Sequence, residues 1–144
     1  MTAIKEWMNQ HFLKLNADKT EVLLITSPSL SRSLRLPTFE LAGAQVNVAS
    51  AVRDRGVTLD SNMKLDQHVN NVVKCSYMHL SQISRIHRYL TADATKSLVH
   101  ALVISRVDYC NVLFYGLPIT ILGKLQRLQN QAARVISGVH KFDH

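Results

Sequence analysis

The second part of the chain, residues 61–144, carries a nearly continuous helical pattern of apolar side chains. This pattern restricts the chain to folds that contain several helices packed together. Between residues 65 and 90 the apolar side chains, among them Leu65, Val69 and Leu80, fall on one helical arc, and no Gly or Pro interrupts them. A long helix is therefore predicted here, with its apolar arc in a core.

Two further helices are predicted after it. Thr91 is a suitable N-cap for a helix that can continue to residue 115, before Gly116. Its expected core stripe is Ala94, Leu98, Ala101, Leu102, Ser105 and Val112. A third helix is predicted over residues 119–137, with Gly138 as its C′ residue. Its expected core stripe is Leu122, Leu125, Leu128, Ala132, Val135 and Ile136. Three helices with short links predict a bundle.

Residues 1–60 have a different pattern, which is typical of short strands. An amphipathic helix that packs one face is predicted over residues 4–15, and a buried strand over residues 20–26. The Ser-rich residues 27–37 form a predicted loop, and residues 38–50 a hairpin with its turn at Gly43. A third β-type run covers residues 51–60 and includes Gly56.

The sequence thus predicts an α+β chain of two domains. Residues 1–60 would form a helix and three short strands in a small antiparallel sheet, and residues 61–144 a three-helix bundle. Neither an apolar leader nor a membrane-spanning stretch is recognisable, and Cys75 and Cys110 form no Cys-x-x-Cys pair. We therefore expect an intracellular protein, cytoplasmic or nuclear, without a membrane partner.

The positive charge is concentrated in the helical half. Residues 61–144 carry ten Lys and Arg against four Asp and Glu, whereas residues 1–60 carry seven against six. Helical spacing predicts two cationic stripes away from the core, which consist of Lys74, Arg85 and Arg88, and of Lys124, Arg127, Gln131 and Arg134. Such stripes can follow a phosphate backbone without reading bases. The alternative is an ordinary solvated face.

Four strings of the sequence resemble one family in their order and spacing. They are LKLNADKTEVLLI (13–25), VRDRGVTLD (52–60), YLTADATKSLVHALVISRVDYCNVLFYGLP (89–118) and LQRLQNQAARVISG (125–138). Together they resemble the reverse transcriptase of LINE-type, non-LTR retrotransposons. The resemblance implies that residues 1–60 are a palm remnant and residues 61–144 a thumb-like domain. It also matches Lys19 to the lysine of the family's fourth motif, which acts near the departing pyrophosphate; the alternative is a loop lysine that pairs in solvent with Asp18 or Glu21.

Two departures from the family bear on activity. The intact enzyme would need Mg²⁺ held by paired aspartates, whereas this chain has no two adjacent acids and its ten acids are scattered. Arg55 also stands where the fifth motif usually buries an apolar residue. We therefore expect no polymerase activity, no metal site and no cofactor, with Lys19 idle.

Other groups of polar residues give weaker indications of chemistry. His68, His79, His87 and His100 lack the spacing of a metal-ligand set. Ser105 and Asp108 lack the Gly-x-Ser-x-Gly elbow of a hydrolase. The sequence therefore predicts a non-catalytic fragment of an RNA-directed DNA polymerase that binds the backbone of a primer–template duplex or of RNA. The alternatives are a helical protein–protein interaction module, which could self-associate through the exposed palm edge at residues 20–26, and a translated retroelement relic without selected activity.

Overall fold

The computed structural model describes residues 2–14, 16, 19–31, 39–41 and 44–138. The chain divides into two units, Met1–Met63 and Lys64–His144. The first unit contains short strands and the second contains helices, so the chain is α+β.

In the part of the first unit that the structure describes, the strands form three separate two-stranded sheets rather than one antiparallel sheet. Its elements are α1 (Thr2–Gln10), β1 (Val22–Leu23), α2 (Pro28–Ser31), β2 (Phe39–Leu41), β3 (Ala44–Val46), β4 (Val48–Ala49), β5 (Ala51–Asp54) and β6 (Val57–Asp60). The pairs β2–β3 and β5–β6 are antiparallel, whereas β1 and β4 are parallel. The hairpin predicted over residues 38–50 is thus present as β2–β3, although Gly43 lies outside the described residues.

Residues 51–60 form a tight hairpin rather than one strand. Arg55 and Gly56 connect β5 to β6, and their φ angles are 45° and 89°. Positive φ at both central residues is the requirement of a type I′ turn, whose twist matches that of the paired strands. Arg55 is exposed at this turn, so its charge is not buried as the fifth motif had suggested.

The N-terminal helix is shorter than predicted and buries less. α1 ends at Gln10, and Phe12 follows with a φ of 55°, which a helix cannot accommodate. Phe12 is 100% exposed and Trp7 is 54% exposed, with its ring stacked on His11 at 4.3 Å. The prediction of a packed face is therefore wrong for the described part of this helix. Leu15 lies outside the described residues.

The strand predicted over residues 20–26 is also shorter than expected. Among the described residues, the strand in this stretch is limited to Val22–Leu23, which pairs with Val48–Ala49, and both of its residues are half-buried. Ile25 is exposed, so the apolar run does not form a buried strand along its whole length.

The described residues of the second unit, 64–138, form four α-helices where three were predicted. They are α3 (Asp66–Ile86), α4 (Ala92–Val99), α5 (Ser105–Asp108) and α6 (Ile119–Ser137). A π-helical segment, His100–Ile104, joins α4 to α5, and a 3₁₀ segment, Asn111–Phe114, follows α5. The predicted second helix ends early because the backbone is extended at Tyr109, with a ψ of 117°, and left-handed at Cys110, with a φ of 56°.

Several predicted helix ends are confirmed. The Thr91 hydroxyl accepts a hydrogen bond from the Ala94 backbone N–H at 3.2 Å and caps α4. Gly138 ends α6 in the left-handed conformation, with a φ of 67°. The first helix was predicted to reach residue 90, but α3 ends at Ile86 and a 3₁₀ turn, His87–Tyr89, follows it.

The core stripe of the second helix differs from the predicted one. The buried residues are Thr95, Val99, Val103 and Val107, whereas Ala101, Ser105 and Val112 are exposed. These buried residues are spaced four apart. In a regular α-helix a side chain four positions further on is rotated by about 40° around the helix axis, so Val107 would lie about 120° away from Thr95. The wider π-turn at His100–Ile104 reduces this rotation and keeps the stripe on one side.

Helices α3 and α6 pack in parallel. Near their N-termini, Val69 belongs to one cluster with Ile121 and Leu125. Near their C-termini, Gly138 lies beside His87, and a Cβ at that glycine would sit 3.5 Å from the imidazole Cε1. Between these ends lies the main core, which consists of Leu80, Ile83, Val99, Val103, Val107, Leu128, Ala132 and Val135.

Candidate nucleic-acid interface

The six predicted phosphate-binding cations all lie in the helical unit. We call them the cationic seam: Lys74, Arg85, Arg88, Lys124, Arg127 and Arg134. All are exposed except Lys124, which is half-buried. The seam runs along α3 with the turn that follows it, and along α6. Helices α3 and α6 lie side by side.

On α3 the cations lie opposite the core. Lys74 and Arg85 are eleven positions apart in the sequence, so they differ by only about 20° around the helix. Val69 and Leu80, which are buried, lie on the other side of the same helix. No acid shares the Lys74–Arg85 line, so this face carries only positive charge.

A direct contact fixes α6 against this part of α3. The Lys124 ammonium donates a hydrogen bond to Asn70 Oδ1 at 2.6 Å. Asn70 precedes Lys74 by one turn of α3, and Arg127 follows Lys124 by about one turn of α6. Because the two helices are parallel, Lys74 and Arg127 both follow this contact in the direction of the C-terminal ends of their helices.

The seam is poor in negative charge. Residues 64–138 carry nine Lys and Arg but only three acids, Asp66, Asp93 and Asp108. Asp93 and Asp108 belong to α4 and α5, and Asp66 lies in the first turn of α3. Lys74, Arg85, Arg127 and Arg134 make no ion pair with any described residue. Their charge is therefore available to an anionic partner.

Two tyrosines lie among these cations, and the sequence interpretation missed them. Tyr77 follows Lys74 by three positions and is 40% exposed. Tyr89 is 73% exposed, and the Arg88 guanidinium lies over its ring, 4.7 Å from the centroid. Their spacing from the cations was visible in the sequence, but their exposure was not.

Lys19 belongs to the strand-containing unit. Its side chain is exposed, and its backbone N–H donates to the Asn16 carbonyl at 3.3 Å. Across the described residues, no three His, Cys, Asp or Glu side chains converge as metal ligands would. Nothing around Lys19 in the described chain therefore assigns it a chemical role.

The histidines and the candidate hydrolase residues have structural surroundings. His68 is buried against Phe114, with ring centroids 6.0 Å apart, and burial lowers its pKa below 6.5. His100 is exposed in the π-helical segment. The Ser105 hydroxyl donates to the Ala101 carbonyl at 2.6 Å, so it serves the helix rather than a nucleophilic site.

A shallow groove of about 260 Å³ lies on another side of the helical unit, between α5 with its following turn and α6. Its lining residues are Val107, Asp108, Asn111, Phe114, Leu122, Leu125, Gln126 and Gln129. Nearby in the sequence, Val112, Tyr115 and Ile119 are strongly exposed. The groove therefore has a mixed lining of four apolar and four polar residues, with exposed apolar side chains near it in the sequence.

Neither a protein-family model, nor a curated protein, nor a solved structure matches this chain. The resemblance of the four sequence strings to non-LTR reverse transcriptases therefore stays a prediction. Within the described residues, none of the helices has the length and apolar character needed to cross a membrane.

Proposed function

We propose that the chain is a non-catalytic fragment of a retrotransposon-type reverse transcriptase that binds nucleic acid through its backbone, without sequence preference. The observation that carries this proposal is the cationic seam, whose two edges are joined by the contact between Lys124 and Asn70. Lys and Arg side chains that neutralise phosphates release condensed counterions, and this release drives binding irrespective of sequence.

The thumb-like role is part of the same proposal. The π-helical segment connects α4 to α5 without a break in the helical backbone, so α4, this segment and α5 can be counted as one long helix beside α3 and α6. Counted in this way, the unit has three long helices, which is the number expected for the thumb implied by the sequence resemblance. The absence of adjacent acids in the sequence supports a binding role without Mg²⁺-dependent synthesis. A nucleic-acid partner also fits the expected cytoplasmic or nuclear location.

Salt dependence provides the first test. The dissociation constant of the full chain for a labelled RNA–DNA hybrid is measured by fluorescence anisotropy. If all six cations contact phosphates, affinity falls about 10³-fold between about 50 mM and about 200 mM salt. An affinity that does not change with salt would contradict the proposal.

Charge reversal tests the location of the site. The double variant Arg127→Glu with Arg134→Glu removes two seam cations from α6. The matched control, Lys96→Glu with Arg106→Glu, changes the net charge equally on the exposed surface of α4 and α5. We expect the seam variant to bind at least about tenfold more weakly than the control, since it also loses phosphate contacts. Equal weakening would indicate diffuse attraction to the whole surface and would refute the seam.

The second candidate function is a protein–protein interaction module. The groove beside α6 and the exposed Val112, Tyr115 and Ile119 favour it, because exposed apolar patches commonly mark interaction sites. Sedimentation velocity distinguishes the two functions. A monomer that binds nucleic acid supports the first, whereas a dimer that ignores nucleic acid supports the second.

A further inference from the structure

Tyr77 lies within the cationic seam rather than in the core. It is seven positions after Asn70, which places it on the same side of α3, within about 20° around the helix. Asn70 receives the hydrogen bond from Lys124, so this side of α3 is the one that borders α6. The ring is 40% exposed and follows Lys74 by one turn. A strand held by the seam cations would therefore pass over an aromatic ring.

A second exposed tyrosine, Tyr89, lies beside a seam cation in the 3₁₀ turn that follows α3. The Arg88 guanidinium covers part of the ring, 4.7 Å from its centroid, while 73% of the residue stays exposed. A guanidinium on one face of an aromatic ring leaves the opposite face available for stacking. An exposed ring of this kind buries little apolar surface in the protein, so packing alone does not explain its position.

We propose that the cationic seam accepts single-stranded nucleic acid, with unpaired bases stacked on Tyr77 and Tyr89. This inference rests on the proposed function and specifies its substrate class. Cations along the backbone with aromatic rings between them are the combination that binds single strands without sequence preference, because every base has a π-face. In a duplex the base faces are already stacked on each other, so the two rings add little to duplex binding.

The test compares a single strand with its duplex. The full chain is titrated into a labelled oligonucleotide of about 16 nucleotides, an upper site size for such surfaces, and into the same strand annealed to its complement. RNA and DNA versions are both used, which shows whether the sugar matters. We expect the single strand to bind at least about fivefold more tightly, and a 2-aminopurine base in it to lose fluorescence as it stacks.

Substitutions then test the two rings. Tyr77→Leu and Tyr89→Leu keep an apolar side chain without a π-face, and each is expected to weaken single-strand binding about 5- to 150-fold. Tyr77→Phe and Tyr89→Phe restore the ring and the affinity. Tyr115→Leu is the matched control, since Tyr115 is 94% exposed but belongs to the surface beside the groove. Duplex affinity is expected to stay unchanged in all five variants.

The outcomes separate this inference from the proposed function. If salt-dependent binding persists but the leucine variants match Tyr115→Leu, or if the duplex binds as tightly as the single strand, the tyrosine platforms are refuted and the seam remains. If neither single strand nor duplex binds, the proposed function and this inference both fall. Weakening by the leucine variants with rescue by phenylalanine supports the inference.

Discussion

Two leucines on α6 provide the sharpest test of how the helical unit packs. Both Leu122 and Leu128 belong to the stripe that the sequence assigns to the core. In the structure Leu128 is 0% exposed and lies in the main core cluster, whereas Leu122 is 37% exposed at the rim of the groove. The substitutions Leu128→Ala and Leu122→Ala are therefore chemically identical but structurally different.

The structure predicts a large difference in the free energy of unfolding. At Leu128 the substitution removes buried methyl groups and leaves a cavity among residues of three helical segments, which costs about 3–4 kcal/mol. At Leu122 much of the side chain is already in water and the site can collapse, so the cost is about 1 kcal/mol. A unit of the size of Lys64–His144 has a total stability of about 4–12 kcal/mol, so Leu128→Ala removes a large fraction of it.

Urea unfolding followed by far-ultraviolet circular dichroism measures the difference. With an m-value of about 1 kcal/mol/M, the midpoint is expected to fall by about 3 M for Leu128→Ala and by about 1 M for Leu122→Ala. The intermediate substitution Leu128→Met keeps most of the volume and is expected to cost less than about 1.5 kcal/mol. Equal midpoints for the two alanine variants would mean that α6 presents a different face to the core.

Two further predictions concern the cap of α4 and the buried histidine of α3. Thr91→Ala removes the acceptor for the Ala94 N–H and is expected to lower the free energy of unfolding by about 1 kcal/mol. Thr91→Ser keeps a hydroxyl and is expected to retain most of the wild-type stability. The urea midpoints of the two variants measure this difference. Burial lowers the pKa of His68, so below pH 6.5 the unfolded chain binds the proton more readily than the folded chain. The free energy of unfolding therefore falls as the pH decreases below 6.5. Above pH 6.5 the imidazole is neutral in both states and does not make stability depend on pH. His68→Leu is expected to flatten this acid decline, and the exposed control His100→Leu is not; equal pH profiles for wild type and His68→Leu would contradict the assignment.

The local features of the helical half were predictable because their causes are local. Apolar spacing and the Gly after the last turn gave residues 119–137 for the final helix, and α6 is Ile119–Ser137. The hydroxyl of Thr91 caps α4 as its position suggested. The cationic stripes also follow from spacing, since residues one turn apart share a face of any helix.

The departures arise where the backbone leaves the regular helix or strand. The π-helical segment His100–Ile104 keeps Val103 and Val107 on the same buried side as Thr95 and Val99, and no composition signal announces such a segment. The extended backbone of Tyr109 and the left-handed backbone of Cys110 ended the second helix early, and a cysteine seldom adopts the left-handed conformation. The parallel pairing of β1 with β4 could not be read from either strand alone.

The sequence by itself determined where the main helices run, which of their faces are charged, and that no adjacent carboxylates are present to hold a metal pair. Only the tertiary structure decided that α3 and α6 lie in parallel, that Lys124 reaches Asn70 across 54 positions of chain, and that Tyr77 and Tyr89 remain exposed among the cations. The physical reason is the range of the interactions. Helix periodicity and capping depend on neighbours within a turn or two, whereas exposure and the meeting of two cationic edges depend on contacts between residues that are distant in the sequence.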